Sequence, residues 1–420
     1  MKAERANKNK FGTWFKTKTQ HITATMVRFS AIEFFFWMAM ASQSFIAVFL
    51  HDQGLTATAV GTLMGIVNIS SIVGPPIAGI LSDKLRSTKR VLMLCITGAS
   101  VFHALAPTSV PITVLGLSMV FLALPVSAMF RYPTMHLLDS WLVQTTNDNP
   151  SMSYGIIRSA GSIGFAVSAI AYTQILNANG GNTVFTFYTM GAINIILLVI
   201  CTFQHDKKVE RVRLKLKDMQ ISRLFKNYYY VTMLFMNLVM YLSISGSFTF
   251  ISYLLRDING NANDLGTIMG AKALFEVPLL ASSMFLMRKF GLIKPIMFCA
   301  LGFALENFLY IFCSSTLQVL LALLLHGMSF GLYIACVIRY ISKLAPKGLA
   351  ATAQTINGAM GALAGVLCNV MGGRIVDAVG IRGFFVVLSS VLLAGFILFA
   401  ISFALGKKLG KPLPEGISEV

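Results

Sequence analysis

Nine charged or titratable side chains fall inside long apolar stretches of this chain: Glu33, Arg131, His136, Asp139, Arg158, Lys272, Glu276, Glu306 and His326. A charge at membrane depth costs about 2.5–3.5 kcal/mol on insertion scales, so it usually faces a cavity and a partner. Two chemistries suit such groups. One is the binding of a polar solute, and the other is the loading and release of protons by a carboxylic acid or imidazole in a low-dielectric site.

Arg158 lies in the run Tyr154-Gly155-Ile-Ile-Arg158-Ser-Ala-Gly161-Ser162-Ile-Gly164-Phe165. Gly155, Ser159 and Ser162 are spaced like small residues that let membrane helices approach closely. The best partner for Arg158 by sequence is Asp139. As a bidentate pair the two serve equally well as structural glue or as a site into which a polar solute exchanges. Arg158 free of Asp139 favours an anionic solute, whereas a paired Arg158 favours hydroxyl groups; both stay open. Glu276 follows Lys272 by one helical turn, within pairing reach. For proton transfer the order is Glu276, Glu306, His326, since a lone membrane histidine is about as often an interhelical hydrogen-bond donor. Glu33 reads as a bilayer-edge residue, and His136 as a hydrogen-bond partner near Asp139. Arg131 divides evenly between structural and functional readings.

Membrane helices must position these groups. The chain is 56% hydrophobic and 12% charged, against about a quarter charged in soluble domains. With roughly 20 apolar residues per crossing, the expected spans are 29–50, 57–80, 91–107, 112–142, 153–176, 183–203, 228–254, 265–287, 294–313, 316–342, 350–373 and 384–406. The fourth is over-long and contains Pro125 and Pro133, which predicts a kink, a tilt or a part outside the membrane. No secretory signal peptide is expected, because the first apolar run is too long for one.

Basic residues concentrate on one side: in the first 28 residues, after spans 2, 8 and 10, in the 204–227 connector and in the C-terminal tail. The opposite loops hold only Arg256, Arg374 and Arg382. This asymmetry predicts a multi-pass cell-membrane protein with both termini cytoplasmic. The net charge of +18 is then a topology signal with some attraction to anionic lipid, and calls for no nucleic acid. The six cysteines lie in apolar runs without paired spacing and read as small buried hydrophobes. No metal-ligand cluster, nucleophile–base constellation or phosphate loop is visible, so neither an enzyme nor a cofactor is expected. The chain divides into a tail (1–28), six spans (29–203), a basic linker (204–227), six more spans (228–406) and a second tail (407–420).

After span 2 comes Gly79-Ile-Leu-Ser-Asp83-Lys84-Leu-Arg86-Ser-Thr-Lys89-Arg90. The positive-inside rule accounts for its bases but not for Gly79 or Asp83. The segment resembles the signature of the major facilitator superfamily between helices 2 and 3. That resemblance implies an all-α fold of twelve membrane helices in two pseudo-symmetric six-helix bundles. It also implies a gating role for Gly79, Asp83, Arg86, Lys89 and Arg90 on the inner side.

Within that superfamily, spans 1 to 5 resemble the lactose permease and phenylpropionate permease branch of proton symporters. The resemblance rests on Phe49-Leu-His51-Asp52, Leu81-Ser-Asp83-Lys84-Leu85, Asp139-Ser140 and the span-5 run. The second half agrees at Phe275-Glu276-Val-Pro278-Leu-Leu280, Leu325-His326-Gly327-Met-Ser-Phe330-Gly331, Ala351-Thr352-Ala353-Gln354, and Gly372-Gly373 with Asp377 and Gly380. It implies that Asp139 and Arg158 bind sugar hydroxyls and that Phe165 stands where the branch has a stacking tryptophan, with Ser162 beside it. It further implies that Glu276 and His326 join solute recognition to proton transfer. The sequence departs from the branch in two places. The acid expected one turn after the histidine is Ser329, and the span-9 arginine is Glu306. Coupling has then moved to Glu276 or Glu306, or the protein is not proton-driven.

These readings converge on a secondary transporter. The first expectation is proton-coupled uptake of a small organic solute by alternating access, an oligosaccharide before a nucleoside or aromatic acid, by a monomer. An efflux antiporter of the same fold is the alternative, and a non-transporting membrane receptor or scaffold lies further off.

Overall fold

The computed structural model describes residues 24–148, 154–204, 222–346 and 349–410. Most of the basic connector expected at 204–227, most of the first tail and nearly all of the second lie outside those residues. Twelve long helices account for nearly all of what is described. They are α1 Ala24–Asp52, α2 Ala57–Leu85, α3 Thr88–Ser109, α4 Val120–Asp148, α5 Tyr154–Ala178 and α6 Val184–Thr202 in the first half. The second half holds α7 Tyr228–Asp257, α8 Ala262–Phe290, α9 Ile293–Tyr310, α10 Thr316–Leu344, α11 (350–379) and α12 (381–408). The last two run into one another without a loop, separated at Gly380, whose φ of 76° is a left-handed conformation open to glycine.

Two elements differ from the sequence expectation, each for a local reason. The α1 helix is interrupted by a 3-10 segment, Ala41–Phe45, where the Ser42 hydroxyl donates to the Ala39 carbonyl at 3.0 Å and competes with the helical ladder. The over-long fourth span resolves into a hairpin and a shorter helix. Strands β1 (Thr113–Val114) and β2 (Leu117–Ser118) pair antiparallel, Thr113 opposite Ser118. Their turn places Leu115 and Gly116 at φ 52° and 76°, the double left-handed geometry of a tight hairpin turn. Pro125 and Pro133 both sit inside α4. The Met129 carbonyl, deprived of a partner by Pro133, faces Gly74 of α2, where a Cβ would lie 2.6 Å from it. Glycine is required there by close approach.

The ends of the bundle differ. We call proximal the end at which α1 begins and distal the end at which it finishes. At the distal end one apolar cluster spans both halves, with Phe45, Val48 and Tyr172 packed among Phe250, Leu254 and Phe384. Toward the proximal end the core separates into one cluster within the first half and another within the second. Helix α2 packs on α11 and α5 on α8. Their contacts lie toward the distal side: Gly61 against the Asn369 carbonyl, Gly373 against Ala57, and Gly266 against Ala169 and Thr173. Asp52 pairs with Arg256 across the halves, and Asn263 bonds Asn177. Among the described residues the halves are therefore joined distally and parted proximally.

Candidate functional site

Between the halves lies a cavity of about 560 Å³ whose wall takes residues from both. The first half contributes Trp37, Asn68, Tyr132, Arg158, Ser162 and Phe165; the second contributes Tyr241, Lys272, Glu276, His326 and Phe330. Helix α5 presents Arg158, Ser162 and Phe165 on one face because they recur at four- and three-residue spacing. Of the small residues expected to let helices approach, the side-chain surroundings of Gly155 lie outside the described residues. Gly161 fits against the Trp37 ring and Gly164 against the Phe34 carbonyl of α1, while Ser162 looks into the cavity.

Among the ion pairs of the described residues, none joins Arg158 to Asp139. The Arg158 guanidinium lies over the Trp37 ring, 4.3 Å from the centroid. The Trp37 indole N–H in turn donates to Glu33 Oε2 at 3.1 Å. The expectation of Glu33 at the bilayer edge is overturned: it is 1% exposed and lies within electrostatic reach of Arg158 and Asp139. Its other oxygen, Oε1, is buried with no hydrogen-bond partner among the described residues. Glu33 is the acid that sequence reading set aside, because one helical turn separates it from the tryptophan that carries its contact to Arg158. Asp139 is absent from the cavity lining and lies within electrostatic reach of Glu33. His136 is on an exposed face.

Across the cavity, Lys272 and Glu276 share a face of α8 without forming an ion pair among those described. Lys272 interacts with both Glu306 and Glu276, and its Nζ stands 5.9 Å from the Phe330 ring centroid. Glu276 also feels Arg158 from the opposite half. Behind them, Glu306 is fully buried. It accepts from the Tyr310 hydroxyl at 2.7 Å, and both its oxygens lie 3.1 Å from His326 Nδ1. The imidazole stacks on Phe330, centroids 5.6 Å apart, and its Nε2 is buried and unpartnered among the described residues. Ser329, at the position of the expected acid, packs against Gly302 of α9. The acid beside the histidine is thus supplied from α9 instead of α10.

The Gly79–Arg90 segment sits at the proximal end. A Cβ on Gly79 would meet nothing within 4 Å. Arg86 has a φ of 49° and makes the turn after α2, and Ser87 caps α3 by accepting from the Arg90 N–H. Lys89 reaches the Thr202 and Gln204 carbonyls at 2.9 and 2.6 Å, closing the C-terminus of α6. That is a bond within the first half.

Two six-helix halves around a central charged cavity, joined among the described residues at the distal end, define a secondary transporter of the major facilitator fold. The pattern of the MFS_1-like family matches residues 26–387, and the chain belongs to that family. It is 25% identical over 349 residues to the uncharacterized transporter YwbF of Bacillus subtilis (strain 168), covering 82% of this chain and 84% of that one. It is 22% identical over 342 residues to a maltose permease of Geobacillus stearothermophilus, covering 79% and 82%. The crystal structure of the nucleoside transporter NupG superposes with a TM-score of 0.76 at 16% identity, covering 91% of this chain and 99% of that one.

Proposed function

We propose that this protein couples proton entry to the uptake of a small organic solute by alternating access. An oligosaccharide is the first candidate, and a nucleoside or an aromatic acid the next. The observation that carries the reading is the cavity itself: Arg158, Ser162 and Phe165 from one half face Glu276, Lys272 and His326 from the other, so rocking the halves would remake the site. The curated relative described as a maltose permease supports the choice of a sugar.

In this reading Arg158 and Ser162 orient the solute, with Asp139 and Glu33 tuning Arg158 from behind. Phe165 supplies a stacking face. Glu276 meets both solute and proton, and the Glu306–His326 pair stores the proton. The halves are residues 29–203 and 228–406, the protein works as a monomer in the cell membrane, and its proximal end with both termini is cytoplasmic. Gly79, Asp83, Arg86 and Arg90 would then gate the inner side in the opposite conformer. Lys89 would assist by holding α3 to α6.

The test is internal pH in dye-loaded proteoliposomes as sugars, nucleosides and aromatic acids are added outside. Inward symport must acidify the lumen, and Glu276→Gln should remove that signal. Alkalinisation would point to the antiporter instead. Labelled uptake with no pH change would sink proton coupling.

A further inference from the structure

The central cavity does not end at Asn68. A smaller pocket of about 130 Å³ shares Asn68, Tyr132 and Ser245 with its wall and adds Gln43, Arg131 and Thr249. On α1, α2 and α7 alike, the residues it adds lie nearer the distal end than those of the main cavity. It is therefore an extension into the closed end. Six of its nine wall residues are polar, the others being Ile46, Phe248 and Met64 of α2, and Arg131 is its charge.

Arg131 differs from the other cations of the wall. Arg158 has Glu33 and Glu276 within electrostatic reach, and Lys272 has Glu306 and Glu276. Among the described residues the Arg131 guanidinium has neither an ion pair nor a hydrogen bond. It lies 4.4 Å from the centroid of its neighbour Tyr132, and the nearby titratable group it acts on is the buried imidazole of His103. A ring face offsets only part of the cost of a charge at this depth. An acid is missing, and among the described residues no side chain supplies it.

We propose that the transported solute supplies it: the solute bears a carboxylate or phosphate that seats on Arg131, with its uncharged body between Arg158 and Glu276. The planar guanidinium matches either oxyanion with two parallel N–H bonds. The amides of Gln43 and Asn68 and the hydroxyls of Ser245 and Thr249 face the same space and provide further donors. At about 30 Å³ per water, the pocket has room for about four waters, which suits one anionic group. The inference rests on the transport reading and narrows it, from neutral sugars to acidic or phosphorylated ones.

The experiment is counterflow in proteoliposomes of the full chain with matched probes: galactose, galacturonate and galactose 6-phosphate, with phenylpropionate and uridine alongside. A charge-assisted pair is worth enough that an anionic hexose should exchange about tenfold faster than galactose, or more. Arg131→Gln should erase that preference, and Arg131→Lys should keep part of it. Whichever of the two anions moves identifies the group. Exchange of galactose equal to or faster than both anions overturns the proposal, as does a preference unchanged in Arg131→Gln protein of normal size-exclusion profile. Exchange of phenylpropionate alone, dependent on Arg131, upholds the anion site and removes the sugar. Exchange of uridine alone, or of no probe, overturns the anion proposal, and the second result takes the transport reading with it.

Discussion

His326 Nδ1 on α10 lies 3.1 Å from each carboxylate oxygen of Glu306 on α9. One proton between them satisfies both residues: either the imidazole N–H donates to a carboxylate, or a carboxylic acid O–H donates to the imidazole. The Tyr310 hydroxyl donates to the same acid at 2.7 Å. A buried pair of this kind can store a proton without leaving a lone charge in the low-dielectric interior.

Glu306→Gln should therefore separate coupling from binding. The amide oxygen still accepts from Tyr310, but the side chain no longer takes up a proton. Counterflow of solute should persist, while accumulation against a gradient under an imposed proton gradient should collapse to equilibration. Accumulation that survives in this variant would move the coupling to Glu276.

Arg158→Ala should abolish uptake and leave membrane insertion intact, because the arginine's partners Trp37 and Glu33 belong to the same half. Trp37→Leu is the finer test. It removes the ring under the guanidinium and the N–H on Glu33 together. Loss of a cation–π contact of about 0.5–2 kcal/mol should weaken solute binding by roughly 2- to 30-fold. Titration of the purified protein with the counterflow substrate reads this directly, and unchanged affinity would detach Trp37 from the site.

Two glycines should respond oppositely to one methyl group. A Cβ on Gly373 collides with the Ala57 carbonyl and comes within 3.0 Å of Thr58 Cα, at the distal seam between halves; a Cβ on Gly79 meets nothing. Gly373→Ala should lower the melting temperature of the distally closed protein, and Gly79→Ala should not. Impaired transport by Gly79→Ala at unchanged melting temperature would place its close contact in the opposite conformer. Equal destabilisation by the two would end the gating assignment.

Sequence carried the fold further than it carried the site. The apolar runs and the polar connectors defined twelve spans because lipid demands them one by one, and the errors fell where polar local chemistry intervened, at Ser42 and at the Leu115–Gly116 turn. Arg158, Ser162, Phe165, Glu276 and His326 were recognisable as cavity residues from their cost inside a membrane and their motifs, and all five line it. Glu33 and Arg131 carry the same cost, but their places were not legible from it. The value of each depends on which neighbour it meets, Trp37 for one and an acid-free pocket for the other. Those are relations between helices that period and spacing do not encode. Asp139 is the partner that the sequence favours for Arg158, yet the guanidinium lies over Trp37 of α1, whose ring Gly161 lets approach.

The distal seal depends on Asp377 of α11, which accepts the Ala57 and Thr58 N–H groups at 3.1 and 2.7 Å and so caps α2 from the other half. A carboxylate there satisfies two orphan donors and meets the positive end of the helix dipole. Unlike an ordinary cap, it would be broken whenever the halves part in the proposed alternating access. Losing a cap costs about 1 kcal/mol and losing the dipole interaction up to about 1 more, so Asp377→Ala should raise the distally open population by about 5- to 30-fold. The readout is labelling of Ala273→Cys, on the cavity wall, by an impermeant maleimide applied from the distal side. The native cysteines are all buried and should stay silent. A labelling rate unmoved by Asp377→Ala would mean that the seal rests on the Asp52–Arg256 pair and the apolar cluster alone. Asp377→Asn should fall between wild type and Asp377→Ala, since it keeps an acceptor and loses the charge.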